Sequence, residues 1–310
     1  MAFLLWYYFF WKKAFIRLKK RSNSMQHEYI LNDGNRIPCI GYGTWKLAEN
    51  VVETALKAGY RLIDTASLYG SEEAVGEGVR KSGIKRDEIF ISTKLWTDEM
   101  GYGEAKQALQ RSLKRMQMDY VDLYLIHWPR MTASPEENWK ERDLETWRAM
   151  EDMKKEGLVK SIGVSNFLPP HLENLIQNSS TVPAVDQLEM HAGYYQEYTL
   201  QYLKEHNILP MAWGPLGRGK AEYTPVLSVL QKVADRYGKS VQQIALRYLL
   251  QRGALPLPKA NSEAHMRENL DVFGFEITQE DMSVISCIPM GTWLGEHPDL
   301  AIPQKKSQDK

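Results

Sequence analysis

Apolar residues recur along this chain in two rhythms that alternate for most of its length. Short runs apolar at nearly every position, the pattern of strands buried on both faces, fall at Cys39–Gly41, Arg61–Ile63, Ile89–Ser92, Val121–Ile126, Ser161–Val164, Ala184–Leu188, Leu209–Ala212 and Ala254–Leu257. Between them lie stretches with helical spacing at 47–58, 71–82, 103–117, 142–156, 169–177, 197–206, 225–237 and 241–251. Two more, 263–270 and 278–286, follow the last run. Ahead of the alternation, Tyr29-Ile30-Leu31, the turn Asn32-Asp33-Gly34-Asn35 and Arg36-Ile37-Pro38 predict a β-hairpin, because Asp-Gly supplies the positive φ of a tight turn. Strands alternating with helices build right-handed βαβ units and a parallel sheet. Eight such units predict an α/β fold, a (β/α)8 TIM barrel whose bottom is closed by the hairpin.

The first 24 residues break this pattern. Ala2 to Trp11 is an unbroken apolar and aromatic run, and Lys12, Lys13, Arg17, Lys19, Lys20 and Arg21 follow with no acidic residue among them. The run is too short for a membrane-spanning helix, which needs about 20 residues. It is also a poor secretory signal, since the charge follows the apolar run instead of preceding it. Two readings stay open: a membrane-interface contact through residues 1–24, or a true start at Met25. The rest, 25–310, contains no linker-like composition shift and is read as one catalytic domain.

Charge and cysteine content narrow the function classes. The 310 residues carry 39 basic and 39 acidic side chains, so no net charge attracts nucleic acid. Cys39 and Cys287 are the two cysteines, which fits a reducing compartment such as the cytoplasm and rules out a disulfide framework or thiolate metal cluster. Neither a Gly-x-Ser-x-Gly elbow nor a metal-ligating histidine spacing occurs, so hydrolase and metalloenzyme readings have no support.

In such a barrel the active site lies at the C-terminal strand ends. There the sequence puts Asp64 and then Tyr69 after the second run, Lys94 after the third and His127 after the fourth. A phenol is a weak acid, with a pKa of about 10, but an adjacent ammonium stabilises its anion. Lys94 is therefore expected to draw Tyr69 toward the working range, with Asp64 as counter-ion of the ammonium and His127 as hydrogen-bond donor to a carbonyl oxygen. This is machinery for protonating a carbonyl as a hydride arrives. Singly, each residue also has a structural reading: a turn cap for Asp64, packing for Tyr69, a solvated surface residue for Lys94, a buried histidine for His127.

These segments resemble the aldo-keto reductases, with motifs closest to the bacterial 2,5-diketogluconate-reductase-like members. The likeness runs over residues 26–296 and rests on Gly41-Tyr42-Gly43-Thr44-Trp45, on Asp64-Thr65-Ala66-Ser67-Leu68-Tyr69-Gly70, on Thr93-Lys94-Leu95-Trp96 and on Leu125-Ile126-His127-Trp128-Pro129. The resemblance implies a catalytic set of Asp64, Tyr69, Lys94 and His127, and NADPH, with NADH as a second choice, bound without a Gly-x-Gly-x-x-Gly unit. It implies that Ser165, Asn166 and Gln187 hold the carboxamide and that Trp213 stacks on the nicotinamide. Thr44, Gly214, Leu216 and Gly217 would approach the rest of the cofactor's nicotinamide half and its diphosphate, and Lys259, Ala260, Asn261, His265, Glu268 and Asn269 the adenosine end. Trp45, Trp128 and Trp293 would line an apolar substrate pocket for small carbonyl compounds. By residue type alone Asn166 reads as a helix cap, and Gly217-Arg218-Gly219 as a glycine-rich loop.

Departures from the family pattern sit mostly at the adenosine end. His265 stands where an arginine usually grips the 2′-phosphate, Ala260 replaces a serine, and Arg267 is off that position by two residues, so both cofactors are expected to serve. Asp186 stands where an asparagine is common, and Ala192 where a proline is. The resemblance implies a monomer. A non-catalytic regulatory subunit that binds nicotinamide cofactor is the alternative, against which the complete tetrad weighs.

Overall fold

The computed structural model describes residues 28–46, 51–129, 138–219, 223–289, 295, 297 and 298. The chain opens with antiparallel strands β1 (Glu28–Ile30) and β2 (Arg36–Pro38), in register through Tyr29 and Ile37. The turn between them holds because Gly34, at φ 86°, donates to the Leu31 carbonyl and Leu31 donates to Asn35.

Eight parallel strands follow: β3 (Tyr42–Gly43), β4 (Leu62–Asp64), β5 (Phe90–Leu95), β6 (Val121–Ile126), β7 (Val159–Ser165), β8 (Val185–Glu189), β9 (Leu209–Trp213) and β10 (Leu255–Pro256), ordered in space as in sequence. Their ends meet. Gly41 N–H donates to Pro256 O and Gly43 N–H to Pro258 O, each at 3.1 Å, which brings the first strand against the last. Gly41 must be glycine for this, since a Cβ there would lie 2.6 Å from Leu62 and 2.7 Å from Leu257. The result is the expected (β/α)8 barrel.

The helices are α1 (Val51–Ala58), α2 (Glu72–Ser82), α3 (Tyr102–Met116), α4 (Trp139–Lys155), α5 (Pro169–Asn178), α6 (Glu197–Glu205), α7 (Thr224–Tyr237), α8 (Val241–Gln251), α9 (Glu263–Leu270) and α10 (Gln279–Ser286). Two separate cores form. Inside the barrel, Leu62, Phe90, Leu123, Leu125, Val185, Leu209, Met211 and Leu255 pack with Tyr29, Leu31 and Ile37 of the hairpin, which plugs the bottom. A larger core joins the outer strand faces to the helices, for example Ile63, Tyr124, Ile162 and Leu188 against Leu109, Trp147, Leu172 and Leu249.

Boundaries moved where polar residues are buried within the strands. The third expected run extends to Leu95, because Thr93 and Lys94 are buried strand residues, and the first begins at Tyr42, since Pro38 still belongs to the hairpin. Residues 1–27, including Met25, and 47–50, the start of the expected first helix, lie outside the described residues. Among the described residues no helix is long and apolar enough to cross a membrane.

Candidate active site

Strand register delivers the tetrad to one rim. Asp64 ends β4, Lys94 is the penultimate residue of β5, and His127 directly follows β6. Tyr69 closes a short 3-10 turn, Ser67–Tyr69, that the left-handed Gly70 (φ 67°) terminates. Lys94 is fully buried; its Nζ donates to Asp64 Oδ2 at 2.7 Å and to the Thr65 carbonyl at 2.9 Å. The other Asp64 oxygen, Oδ1, accepts from Gln187 Nε2 at 2.9 Å across the barrel. Lys94 Nζ lies 5.0 Å from the Tyr69 ring centroid. The Tyr69 ring meets Trp45 edge-on at 4.8 Å and His127 at 5.5 Å, and Trp96 meets His127 at 4.9 Å.

The electrostatics depart from the sequence expectation at one point. Burial would lower the Lys94 ammonium, but Asp64 and Tyr69 more than offset it, and its pKa is raised. For Tyr69, burial outweighs the pull of Lys94, and Asp64 adds to the rise; the phenol is pushed above its ordinary value, not drawn below it. It therefore stays protonated across the physiological range. His127 is held well below its ordinary pKa by burial and by the Lys94 charge, so the imidazole is neutral. Its Nδ1 is buried without a partner. An orphaned N–H costs more than an orphaned lone pair, which assigns the proton to Nε2.

Beside the tetrad Ser165, Asn166, Gln187 and Trp213 bond one another. Ser165 Oγ donates to the Gln187 carbonyl at 2.8 Å. Asn166, left-handed at φ 61°, donates from Nδ2 to the His127 carbonyl at 2.9 Å and to Ser165 Oγ at 3.0 Å, while its Oδ1 accepts from Trp213 Nε1 at 2.8 Å. Its reading as a helix cap is thereby corrected: Leu168 is the cap residue of α5, and the Asn166 amide points back across the strand ends.

A cavity of about 1090 Å³ opens above these groups. Its wall takes in Asp64, Tyr69, His127, Trp45, Trp128, Thr44, Ser165, Asn166, Gln187, Trp213, Gly214, Leu216, Lys259, Ala260, Asn261 and His265. Gly217, Glu268 and Asn269 stand off that wall. Gly217 is buried under the Tyr223 ring, and Asn269 is buried on α9 beside the Tyr60 hydroxyl. Trp293 falls outside the described residues. Elsewhere on the wall Lys259 Nζ donates to the Lys46 carbonyl, and burial and the Lys46 charge lower its pKa. Arg267 is bound to Glu263 at 2.6 Å, away from the cavity wall, as its offset from the family position implies.

Several wall residues escaped the sequence reading, four of them with side chains or contacts that bear on the site. Trp96 sat inside the lysine motif, and Lys46 directly follows Trp45; both were legible as neighbours of assigned positions. Arg218 carries a cation between two glycines after a strand end, a signal that reading the segment as a plain loop passes over. Gly295 packs where a Cβ would come within 2.4 Å of the Trp213 ring, and its N–H donates to the buried Glu189 at 2.9 Å, which nothing local in the sequence announces. Asp186, the departure on β8, is fully buried, and burial pushes its pKa well up against the opposing pull of the Phe167 backbone N–H.

Comparison with known proteins places these motifs in context. A family model described as "Aldo/keto reductase family" matches residues 39–288. The chain is 39% identical over 281 residues to a glyoxal reductase of Bacillus subtilis, covering 89% of this chain and 98% of that one. It is 38% identical over 282 residues to the methylglyoxal reductase DkgA of Yersinia pestis, with the same two coverages, 89% and 98%. Among solved structures, a Bombyx mori aldo-keto reductase in complex with NADP superimposes with a TM-score of 0.79 at 35% identity, over 88% of this chain and 95% of that chain.

Proposed function

Because the chain belongs to the aldo/keto reductase family, we propose that it reduces small aldehydes and ketones to alcohols with NADPH, and with NADH as a second cofactor. One observation carries the reading: a fully buried ammonium, Lys94, is bonded to Asp64 and stands beside Tyr69, two residues that line a large cavity. A structural ion pair would not need a protonated phenol and a neutral imidazole converging beside it.

The donor set fits a nicotinamide dinucleotide. A flat indole, three amide or hydroxyl side chains, Lys259 and His265 share one wall. Trp213 would support the ring, Ser165, Asn166 and Gln187 its carboxamide, Thr44, Gly214 and Leu216 the adjoining segment, and Lys259, Ala260, Asn261 and His265 the adenosine phosphate. Gly217, Glu268 and Asn269 would act from behind that wall by shaping the loop and α9. When bound, the cofactor supplies the hydride.

The chain's own residues do the rest. Tyr69 keeps its proton until a carbonyl oxygen accumulates negative charge, then donates it from the phenol oxygen. Lys94, raised and buried, stabilises the tyrosinate left behind, and Asp64 keeps that ammonium charged and oriented. His127 donates from Nε2 to the same oxygen and orients it. Trp45, Trp96 and Trp128, with Trp293 as a fourth candidate, would exclude water and favour uncharged substrates. The glyoxal and methylglyoxal reductases among the relatives support small carbonyl compounds as the class.

The test is the loss of nicotinamide absorbance when purified protein is mixed with an activated aromatic aldehyde and either NADPH or NADH. Oxidation of both cofactors supports the reading. Cofactor binding without turnover would favour the regulatory-subunit alternative.

A further inference from the structure

We propose that Glu99 is a positioning residue: its buried carboxylate ties the turn that carries Tyr69 to the segment that follows Lys94, and so sets where the phenol stands against the ammonium and the imidazole. The inference rests on the reductase reading above. Asp64 and Lys94 are strand residues held by the sheet, whereas Tyr69 reaches the rim on the three-residue turn Ser67–Tyr69. Leu68 and Tyr69 are half-buried and Gly70 is exposed, so the turn borders solvent and its place must be fixed from outside.

Two braces do this. On one side Ser67 Oγ donates to Glu99 Oε2 at 2.9 Å, a buried bond. The same oxygen accepts from the Trp96 N–H at 3.2 Å, and the Glu99 N–H donates back to the Trp96 carbonyl at 3.0 Å. Arg111 of α3 holds the other oxygen, Oε1, at 3.1 Å. Glu99 is thus fastened to Trp96, which follows Lys94 by two residues and meets the His127 ring edge-on at 4.9 Å. On the other side Ser71 Oγ shares hydrogen bonds with Thr65 Oγ1 at 3.0 Å and Thr44 Oγ1 at 3.2 Å. Tyr69 lies between the two. A carboxylate this buried is costly unless donors surround it, and a bond from a hydroxyl to a charged oxygen is stronger than one to a neutral acceptor. Ser67 therefore has a stiff anchor, and the phenol two residues on inherits its position. The stake is kinetic, since a displacement of about 1 Å in a reacting group costs roughly a hundredfold in rate.

Steady-state kinetics and NADPH titration on the full chain decide the matter, comparing the wild type with Ser67→Ala, Glu99→Ala, Glu99→Gln and the double variant Ser67→Ala/Glu99→Ala. Ser67→Ala and Glu99→Ala are each expected to lower kcat for aldehyde reduction by roughly tenfold, with the Kd for NADPH within about twofold of the wild type. The double variant should lose no more than Glu99→Ala, because Ser67 acts through Glu99. Glu99→Gln keeps an oxygen for Ser67 and Trp96 while giving up the charge pair with Arg111, so it should recover most of the kcat. In Ser67→Ala the alkaline rise of alcohol oxidation should move to higher pH, since a phenol that drifts from Lys94 loses the charge that stabilises its anion. Ser67→Ala leaves the Glu99–Arg111 pair in place and decides the question even where Glu99→Ala fails to fold. A wild-type kcat and pH profile in Ser67→Ala would overturn the assignment, as would additive losses in the double variant or a lower Tm in Glu99→Ala at unchanged kcat. If the wild type itself turns over no aldehyde, the reductase reading fails instead.

Discussion

The indole Nε1 of Trp213 donates to Asn166 Oδ1 at 2.8 Å. This bond fixes the Asn166 amide, since it decides which end of the side chain faces the His127 carbonyl. A phenylalanine at 213 keeps a flat face but leaves that oxygen without its donor. Trp213→Phe is expected to raise the Kd for NADPH roughly two- to tenfold, the worth of one hydrogen bond. Equal affinities in a fluorescence or calorimetric titration would show that the bond orients nothing of consequence.

On the proposed mechanism Tyr69→Phe removes the proton donor and little else. Its kcat should fall by roughly a hundred- to ten-thousandfold, while NADPH affinity stays within about twofold because the ring and its neighbours remain. A kcat near that of the wild type would assign the proton to another group.

The same phenol sets the pH profile. With Tyr69 raised and His127 lowered, neither group changes charge between about pH 6 and 8, so aldehyde reduction should be flat there. On the proposed mechanism alcohol oxidation uses the tyrosinate, so its rate should climb with pH into the alkaline range. An oxidation rate that levels off near neutrality would contradict the raised phenol.

Asp186 gives a stability test. Its carboxyl is raised well above its ordinary pKa by burial, so the unfolded chain releases this proton more readily than the folded one. Its contribution to stability is complete below about pH 4, the unfolded value, and is lost as pH rises toward the folded value. Asp186→Asn cannot ionise. It should gain on the wild type progressively as pH rises from about 4 to 8, by a few degrees in Tm at the upper end, as roughly 2–4 °C per kcal/mol implies. A Tm difference that does not vary with pH would mean that the Phe167 backbone N–H offsets the burial of Asp186.

His265 is exposed on the first turn of α9, on the cavity wall. An arginine there supplies a planar guanidinium that can pair with two phosphate oxygens, which an imidazole cannot. His265→Arg is expected to raise the NADPH-to-NADH ratio of kcat/KM by roughly tenfold or more. An unaltered ratio would remove His265 from the account of cofactor choice.

Legibility in the sequence followed how local each feature is. The barrel could be read because each βα unit carries its own periodicity, and the tetrad because each member ends or follows a strand. The sign of the Tyr69 shift could not, since it depends on burial by Trp45, Lys94 and His127 from three other segments of the chain. Asn166 looked like a cap because residue type was the only guide; its partners, His127 and Trp213, come from other strands. Arg218 was hidden by its backbone, because no composition rule foretells a left-handed arginine folded across a glycine.

The hydrogen bonds from Gly41 to Pro256 and from Gly43 to Pro258 also carry a consequence for synthesis on the ribosome. They seat Thr44, Trp45 and Lys46 beside Lys259 and Ala260, residues made more than 200 positions apart. The nascent chain must wait for its last strand before the cavity has two sides, a long-range closure of the kind that slows folding. Until then Lys94 and Asp64 can pair, yet no complete cleft exists for a dinucleotide to stabilise. Ligand binding can therefore reward the finished protein but cannot rescue a stalled one.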